Sequence, residues 1–227
     1  MQYHIEFDIN LRKNSYKGVY IALEGIDGSG KTTQAKRIVS YLEKRGIKSI
    51  YTKEPTDEVT GLLIRRILSD ELTVPPVAFQ YLFAADRAVH QVQLEKYLKE
   101  GLTVVSDRYF WSSLVYGIVD RGISFAREVG YEKERLLVAF SILSMYHRFL
   151  VPDYTFYLAV STGTAVKRIV KTKKELEIYE KKDKLEKIRL GYEWLAKKFT
   201  NEITVVNGER SVEEVEGAII KSLKLSK

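Results

Sequence analysis

A glycine-rich segment near the N-terminus, GIDGSGKTTQ, has the residue types and the spacing that bind phosphate. Its Gly25, Gly30, Lys31 and Thr32 fit the pattern G-x-x-x-x-G-K-[ST]. Glycines let backbone N–H groups turn towards a phosphate, and a helix that starts after them adds free N–H groups and a positive dipole end. In such loops the lysine bridges the β- and γ-phosphates and the threonine hydroxyl binds Mg²⁺. A glycine-rich turn that matches by chance is the alternative.

The position of this segment favours phosphate binding over a chance match. It lies between a strongly apolar run, VYIALE, and an amphipathic stretch without a side-chain cap, which is the strand–loop–helix context of a phosphate loop. The sequence therefore predicts a site for a nucleoside triphosphate and Mg²⁺. The predicted contacts with the triphosphate are Gly25, Ile26, Asp27, Gly28, Ser29, Gly30, Lys31, Thr32 and Thr33. The loop alone does not identify the reaction, because switch GTPases, motor ATPases and small-molecule kinases share it.

Charged motifs follow two further apolar runs. KEPT contains Glu54, and SDRY contains Asp107 and Arg108. Because the carboxyl ends of parallel strands line one crevice, we expect these residues to converge with Lys31. Arg108 could bind an acceptor phosphate with two parallel hydrogen bonds, and Asp107 could orient Mg²⁺ or its waters. A plain salt bridge is the alternative for this Asp–Arg pair, and the nearby phosphate loop favours a functional role.

Two stretches supply residues that could bind a nucleoside. In YLFAADRAVH, Phe83 and Arg87 are four residues apart and share one helix face, so they could stack on a base and hydrogen-bond its edge. By spacing alone, a buried Phe83 with a surface Arg87 is the commoner arrangement. WSSLVYG carries Ser112, Ser113 and Tyr116, whose hydroxyls could reach a sugar or satisfy a turn.

The elements that must position these residues alternate between two patterns. Five short runs rich in Val, Ile and Tyr are separated by longer helical patterns, and they are VYIALE, KSIYTKE, LTVVSDR, YTFYLAV and EITVVNG. This alternation predicts an α/β fold, with a parallel five-stranded sheet and helices on both faces. We expect helices over about 76–99 and 131–149, a helix that ends at Gly46, and another with Ser211 as N-cap and Glu214 in a capping box.

The composition is that of an intracellular globular domain. The chain has 227 residues, of which 45% are hydrophobic and 30% charged, and this length suits one domain over residues 1–227. Without cysteine, disulfides and thiolate metal sites are excluded, and the cytoplasm is the expected location. No apolar run approaches the roughly 20 residues of a membrane span, and the N-terminus lacks the apolar region of a signal peptide.

The positive charge is concentrated in one segment. The net charge is +7, and residues 167–198 contain twelve Lys or Arg against six Asp or Glu, so this segment carries +6. Such a surplus suits a small anionic ligand or nucleic acid, and a solvated helix face explains it equally well. Within it, residues 170–183 have the weakest apolar content, and we expect a mobile excursion there.

Five motifs, in their order along the chain, resemble those of the thymidylate kinase family, whose members transfer the γ-phosphate of ATP to dTMP. The motifs are EGIDGSGKTTQ, EPT, FAADRA, SDRYFWSSLVYG and PDYTFYLAV. The resemblance covers nearly all of the chain after about Val19, which leaves residues 1–17 as an N-terminal extension. The phosphate loop is generic, whereas FAADR followed by DRYxxSSLxY is more specific. The resemblance implies a P-loop NTPase-type three-layer fold, a homodimer, and a lid over about 170–183.

The resemblance also implies roles for individual residues. Asp27 would contact the 3′-OH of the acceptor sugar. Phe83 would stack on thymine, and Arg87 would hydrogen-bond its O4. Arg108 would bind the phosphate of dTMP, with Arg65 of LIRRIL as a second clamp.

The resemblance extends to the sugar and to the lid, with departures. Tyr116 would crowd the C2′ position and disfavour ribonucleotides. Lys171, Lys173 and Lys174 fall where the family has a lid over ATP, and they stand where arginines are common. Lysine neutralises charge but lacks the guanidinium fork. Gly117 stands where the family often has glutamine.

The sequence thus predicts a nucleoside monophosphate kinase that uses ATP and dTMP. Lys31, Asp107 and Arg108 are the predicted catalytic residues, and Thr32 and Asp107 the predicted metal ligands. The predicted substrate-binding residues are Asp27, Glu54, Arg65, Phe83, Arg87, Arg108, Ser112 and Tyr116. One alternative is a deoxynucleoside kinase that uses Glu54 as a base. Another is a non-catalytic nucleotide- or nucleic-acid-binding regulator, although Arg87 and Arg108 suit an acceptor pocket better than nucleic acid.

Overall fold

The fold is α/β, in a computed structural model that describes residues 11–125, 131–171, 177 and 179–224. The strands are β1 (Arg12–Lys13), β2 (Tyr20–Glu24), β3 (Ser49–Lys53), β4 (Thr103–Asp107), β5 (Leu150–Val151), β6 (Tyr154–Ala159) and β7 (Ile203–Asn207). The helices are α1 (Lys31–Lys44), α2 (Val59–Leu68), α3 (Pro76–Lys99), α4 (Phe110–Asp120), α5 (Tyr131–Met145), α6 (Thr162–Val170), α7 (Lys182–Lys198) and α8 (Val212–Ser222).

The central sheet has five parallel strands in the order β3-β4-β2-β6-β7, which confirms the prediction. Side chains alternate between its two faces, since Ile21 and Leu23 pack with α1 and α8 while Tyr20 and Ala22 pack with α3, α4 and α7. Both faces are therefore buried, as a parallel sheet requires. In the register, Asp107 lies opposite Leu23 of β2 and Lys53 of β3, so the chain leaves these three strands at one edge.

Most helix boundaries agree with the sequence prediction. α3 spans 76–99 as expected, and its first residue is a proline, which has no N–H to leave unpaired there. α8 has the predicted capping box of Ser211 and Glu214, and Gly46 follows α1 with a φ of 75°.

Two features differ from the prediction. α5 ends at Met145 rather than 149, because the chain turns through Tyr146 to reach β5. A buried Tyr146 and a Phe149 three residues later continue the helical spacing, which is why the sequence predicted a longer helix. β1 and β5 form a two-stranded parallel sheet that the sequence did not predict, since a two-residue strand has no periodicity to recognise.

Across the described residues, no helix combines the length and the apolar character needed to cross a membrane.

Candidate active site

A cavity of about 1010 Å³ lies at the edge of the sheet where β2, β3 and β4 end. The glycine-rich loop forms one wall, and the ends of β3 and β4 with parts of α2, α3 and α4 form the others. All eight predicted substrate-binding residues line it, and they are Asp27, Glu54, Arg65, Phe83, Arg87, Arg108, Ser112 and Tyr116. The loop contributes Asp27, Gly28, Gly30, Lys31, Thr32 and Thr33 to the lining, and Asp107 faces the same space. Gly25, Ile26 and Ser29 belong to the loop without lining the cavity.

The backbone of the loop requires glycine at two positions of the cavity wall. Gly28 has a φ of 77°, and a Cβ there would lie 2.4 Å from the carbonyl oxygen of Ala165 in α6. Gly30 has a φ of 97° and is the N-cap of α1, and no side chain among the described residues caps this helix. The first N–H groups of α1 therefore point at the cavity without a side-chain partner, as an anion site requires.

Lys31 is buried at the bottom of the loop. Its Nζ donates a hydrogen bond of 2.8 Å to the carbonyl of Ile26 and lies 3.9 Å from a carboxylate oxygen of Asp27. Burial, and the nearby Arg108, lower the pKa of Lys31 to about 8, although Asp27 and Asp107 oppose this shift. A bound polyanion would favour the charged form, so this lysine is placed to gain most from a phosphate.

Thr32 and Asp107 lie side by side at the start of α1 and the end of β4. The hydroxyl of Thr32 donates to the carboxylate of Asp107. Hydroxyl and carboxylate oxygens are suitable ligands for Mg²⁺, which keeps several waters and takes few protein ligands. No group of three or more His, Cys, Asp or Glu residues that could hold a metal occurs in the described part of the chain. These two oxygens therefore fit Mg²⁺ that a nucleotide phosphate helps to hold.

Arg108 has a strained backbone and a fixed side chain. Its φ of 75° is in the left-handed region, which costs a residue other than glycine about 1 kcal/mol or more. The guanidinium donates to the carbonyl of Gly25 at 3.0 Å, to Ser112 Oγ at 3.2 Å and, through Nη2, to the carboxylate of Asp27. Burial disfavours its charge, yet surrounding groups that include Asp27 raise the pKa of Arg108 above its usual value. It stays charged at every physiological pH.

Spacing alone favours a buried Phe83 and a surface Arg87, and the structure differs from this expectation at both residues. Arg87 is only 2% exposed, whereas Phe83 is half-buried and faces the cavity. The guanidinium of Arg87 donates to a carboxylate oxygen of Glu54 at 2.5 Å and to the hydroxyls of Ser113 and Tyr146 at 2.7 and 2.8 Å. These partners compensate the burial of the charge, which helical periodicity cannot reveal.

Glu54 is held from both sides. One of its carboxylate oxygens accepts from Arg87, and the other lies 2.9 Å from Nδ1 of His90. Nε2 of that histidine lies 2.6 Å from the hydroxyl of Thr52. The carboxylate is therefore engaged by the protein itself, an arrangement that suits positioning of Arg87 better than proton abstraction.

The other predicted residues surround the same space. Arg65 donates through Nη2 to the carbonyls of Pro55 and Thr56 at 2.5 and 2.9 Å, so it is held at the rim. The ring of Tyr116 lies 5.3 Å from the guanidinium carbon of Arg108, and its hydroxyl is buried.

Of the predicted lid over 170–183, the structure describes residues 170, 171, 177 and 179–183. Lys171 is exposed and follows α6, while Lys173 and Lys174 lie outside the described residues. Arg168 of α6 was not predicted for this site from the sequence. It lies 3.5 Å from the carbonyls of Gly28 and Ser29 and donates to that of Gly208 at 3.0 Å. Arg168 precedes the run of lysines, and no local sequence pattern marks it as a residue of the site.

Two further residues that the sequence did not predict for the site, Glu24 and Tyr192, lie behind it and support it. Glu24, the last residue of β2, is buried, and it accepts hydrogen bonds from Tyr109 N–H at 3.0 Å, Ser112 Oγ at 2.6 Å and Tyr192 hydroxyl at 3.0 Å. Burial raises the pKa of Glu24. A charged residue at the end of a fully apolar run was the available signal for Glu24, whereas Tyr192, 168 residues away, had none.

A family model and individual relatives agree on the family to which this chain is similar. The sequence model of the thymidylate kinase family matches residues 23–219. A probable thymidylate kinase of Pyrococcus horikoshii is 37% identical, over 92% of this chain and 97% of its own length. Another probable thymidylate kinase, from Methanocaldococcus jannaschii, is 38% identical over 91% of this chain and 96% of its own length. A thymidylate kinase of Thermoanaerobacter sp. is 34% identical over 92% of this chain and 98% of its own length. With a family match over most of its length and relatives of this similarity, the chain belongs to the thymidylate kinase family.

Proposed function

We propose that this member of the thymidylate kinase family transfers the γ-phosphate of ATP to dTMP, giving dTDP and ADP. The observation that carries the proposal is a single cavity in which a phosphate loop faces a pocket with the buried Arg87, the partly buried Arg108 and an aromatic ring. We name its two parts by their proposed ligands. The donor half is formed by residues 28–33 with Asp107. The acceptor half is formed by Glu54, Arg65, Phe83, Arg87, Arg108, Ser112 and Tyr116.

The donor half suits the triphosphate of ATP. The N–H groups at the start of α1 and the ammonium of Lys31 would bind the β- and γ-phosphates. Thr32 and Asp107 would hold Mg²⁺, which when bound neutralises charge on these phosphates. Lys171, Lys173 and Lys174 would belong to a lid that excludes water from the transfer.

The acceptor half suits a pyrimidine nucleoside monophosphate. Phe83 offers a ring face for the base, and Arg87, which can only donate hydrogen bonds, selects a base carbonyl. Arg108 would bind the acceptor phosphate, with Arg65 at the rim as a second cation. Asp27, between the two halves, would accept a hydrogen bond from the sugar hydroxyl, and Tyr116 would crowd the C2′ position.

Transfer itself needs positioning and charge neutralisation more than a proton base. The acceptor phosphate has a second pKa of about 6, so it is already an anionic nucleophile at neutral pH. Arg108 would align its attacking oxygen with the γ-phosphorus, while Lys31 would stabilise the charge that moves towards the leaving β-phosphate.

An acceptor screen tests the proposal. The chain is supplied with ATP and Mg²⁺, and ADP release is followed with dTMP, dUMP, dCMP, dAMP, dGMP or thymidine. We expect turnover with dTMP and none with thymidine. Activity on thymidine alone would favour the deoxynucleoside kinase, a reaction that the engagement of Glu54 by Arg87 and His90 argues against. ATP binding without any acceptor, together with salt-sensitive DNA binding, would favour the regulator.

We also propose that the chain forms a homodimer in the cytoplasm. The outer face of α3 carries the exposed side chains of Val77, Tyr81, Val89 and Val92, the last of which is 74% exposed. From 76 to 93 the charged residues of this helix are Asp86 and Arg87, and both are buried. An uncharged face of this length suits burial against a second copy. Light scattering should give the mass of a dimer for the wild type and of a monomer for Val92→Glu.

A further inference from the structure

Gln80 of α3 has a buried carboxamide that the fold leaves unsatisfied. The residue is only 1% exposed, and neither Oε1 nor Nε2 has a hydrogen-bond partner among the described residues. A buried amide without partners destabilises the folded state, and most buried polar side chains avoid this. Gln80 also lines the large cavity, together with Phe83 and Arg87. An unsatisfied group in a binding cavity is accounted for when the ligand supplies its partners.

The position of Gln80 follows from how α3 and α4 pack. Arg87 contacts Ser113 of α4, and Gln80, seven residues earlier on the same face of α3, packs against Gly117, one turn further along α4. A Cβ at Gly117 would lie 2.5 Å from Cδ1 of Ile142, 3.1 Å from Cδ of Gln80 and 3.2 Å from its Nε2. Gly117 thus makes room for the side chains of both Ile142 and Gln80. The two polar side chains form successive layers along one wall of the acceptor half.

We propose that the carboxamide of Gln80 binds the imide edge of the acceptor base and contributes to the choice of nucleotide, an inference that rests on the proposed function. Arg87 can only donate, so it suits the O4 carbonyl at one end of that edge. A carboxamide presents an acceptor beside a donor, which matches the ring N3–H and the O2 carbonyl at the other end. The last torsion of glutamine is soft, so the amide plane turns towards a ligand at little cost.

The decisive variant is Gln80→Met, which keeps the length of the side chain and removes its polar atoms. Because the free protein loses an unsatisfied amide, its melting temperature should stay the same or rise. Because the complex loses two hydrogen bonds, KM for dTMP should rise about tenfold, while KM for ATP stays within about twofold. Opposite effects on stability and on dTMP affinity are a result that a structural role does not produce.

Gln91→Met is the matched control on the same helix. Gln91 is also buried, but its amide donates to Glu95 at 3.2 Å and accepts from the hydroxyl of Tyr109 at 2.7 Å, away from the cavity lining. We expect this variant to lower the melting temperature and to leave KM for dTMP unchanged.

A modified substrate tests which atoms Gln80 binds. Methylation of dTMP at N3 removes the imide N–H, so it should reduce kcat/KM strongly in the wild type. The penalty should shrink at least about fivefold in Gln80→Met, because the group that reads the N–H is gone and methionine adapts to the added methyl group.

Each other outcome overturns the inference. An unchanged KM for dTMP in Gln80→Met would make Gln80 a packing residue, and a lowered melting temperature with both KM values raised would make it structural. An equal N3-methyl penalty in both proteins would place its contact elsewhere. A wild type that is inactive on dTMP would instead refute the proposed function, so the two failures are distinguishable.

Discussion

The two halves of the cavity are built in different ways. The donor half uses consecutive residues and presents mainly backbone N–H groups, with Lys31 as its one buried cation among the described residues. The acceptor half takes single side chains from the ends of β3 and β4 and from α2, α3 and α4, and these side chains hold one another through hydrogen bonds. A phosphate loop can therefore be recognised locally, whereas the pocket that selects the acceptor exists only in the assembled fold. The difference leads to separable predictions for the two substrates.

The largest effect is expected for Lys31→Ala in the donor half. Among the described residues, Lys31 has the only ammonium buried at the phosphate loop. Its loss should reduce turnover by at least about 1000-fold, because transfer depends on charge neutralisation. Affinity for dTMP, measured by calorimetry, should stay within about threefold of the wild type, since the acceptor half is left intact. Near-normal turnover would refute the assignment of the donor half, and lost dTMP affinity would refute the separation of the two halves.

Arg108→Lys should be the next largest change, in the acceptor half. The lysine keeps the charge and loses the fork that contacts Gly25, Asp27 and Ser112. We expect kcat/KM for dTMP to fall about 100-fold, with KM for ATP nearly unchanged. Steady-state kinetics with each substrate varied in turn measures both, and an equal rise in the two KM values would contradict this assignment.

The pH dependence should differ between the halves. The lowered pKa of Lys31, about 8, means that the folded protein loses this proton more readily than the unfolded chain, so its contribution to kcat/KM for ATP declines above about pH 8. At pH 9 we expect about a tenfold reduction from this group. The raised pKa of Arg108 keeps it charged there, so its contribution to kcat/KM for dTMP is constant.

Above about pH 8, the contribution of Lys31 to the stability of the fold rises, whereas its contribution to kcat/KM for ATP falls. Because the unfolded chain holds this proton up to the ordinary lysine pKa of about 10.4, stability contributed by Lys31 rises between about pH 8 and 10. Denaturant titrations at several pH values measure this slope. In Lys31→Met it should disappear, and a slope that persists in that variant belongs to another group.

The smallest effect is expected for Tyr192→Phe. Its hydroxyl donates to Glu24 at 3.0 Å, lies 2.8 Å from Ser112 Oγ and accepts from Arg108 at 3.2 Å, so it steadies the acceptor half without facing the donor half. We expect about a fivefold rise in KM for dTMP and no change for ATP. Tyr157→Phe, in a ring stacked on Tyr192 at 5.2 Å, is the control that should leave both KM values unchanged.

The sequence was sufficient for the features that depend on local pattern. Alternating apolar runs predicted all five strands of the main sheet, and composition around Ser211 and Pro76 predicted two helix starts. The glycine-rich motif after β2 predicted the phosphate loop, which forms one wall of the cavity. These features are encoded within a few residues of where they occur.

Features that depend on distant contacts could not be predicted. The burial of Arg87 depends on Glu54, Ser113 and Tyr146, which are 33, 26 and 59 residues away. The end of α5 depends on Tyr146 turning inwards, and no periodicity marks it. The same holds for Gln80, since only packing against α4 shows that its amide is unsatisfied.

The contact between Asp27 and Arg108 has a thermodynamic consequence. Asp27 belongs to the loop that would bind ATP, and Arg108 would bind the acceptor phosphate, yet the two side chains are joined in one ion pair. An anion at Arg108 competes with Asp27 for the guanidinium and so alters the electrostatics around Lys31, 3.9 Å from the same carboxylate. We therefore expect each nucleotide to change the affinity for the other by a small factor, within the roughly threefold limit predicted above for the two halves. Coupling of this kind is reciprocal, so whatever factor dTMP applies to the Kd of ATP, ATP must apply to the Kd of dTMP.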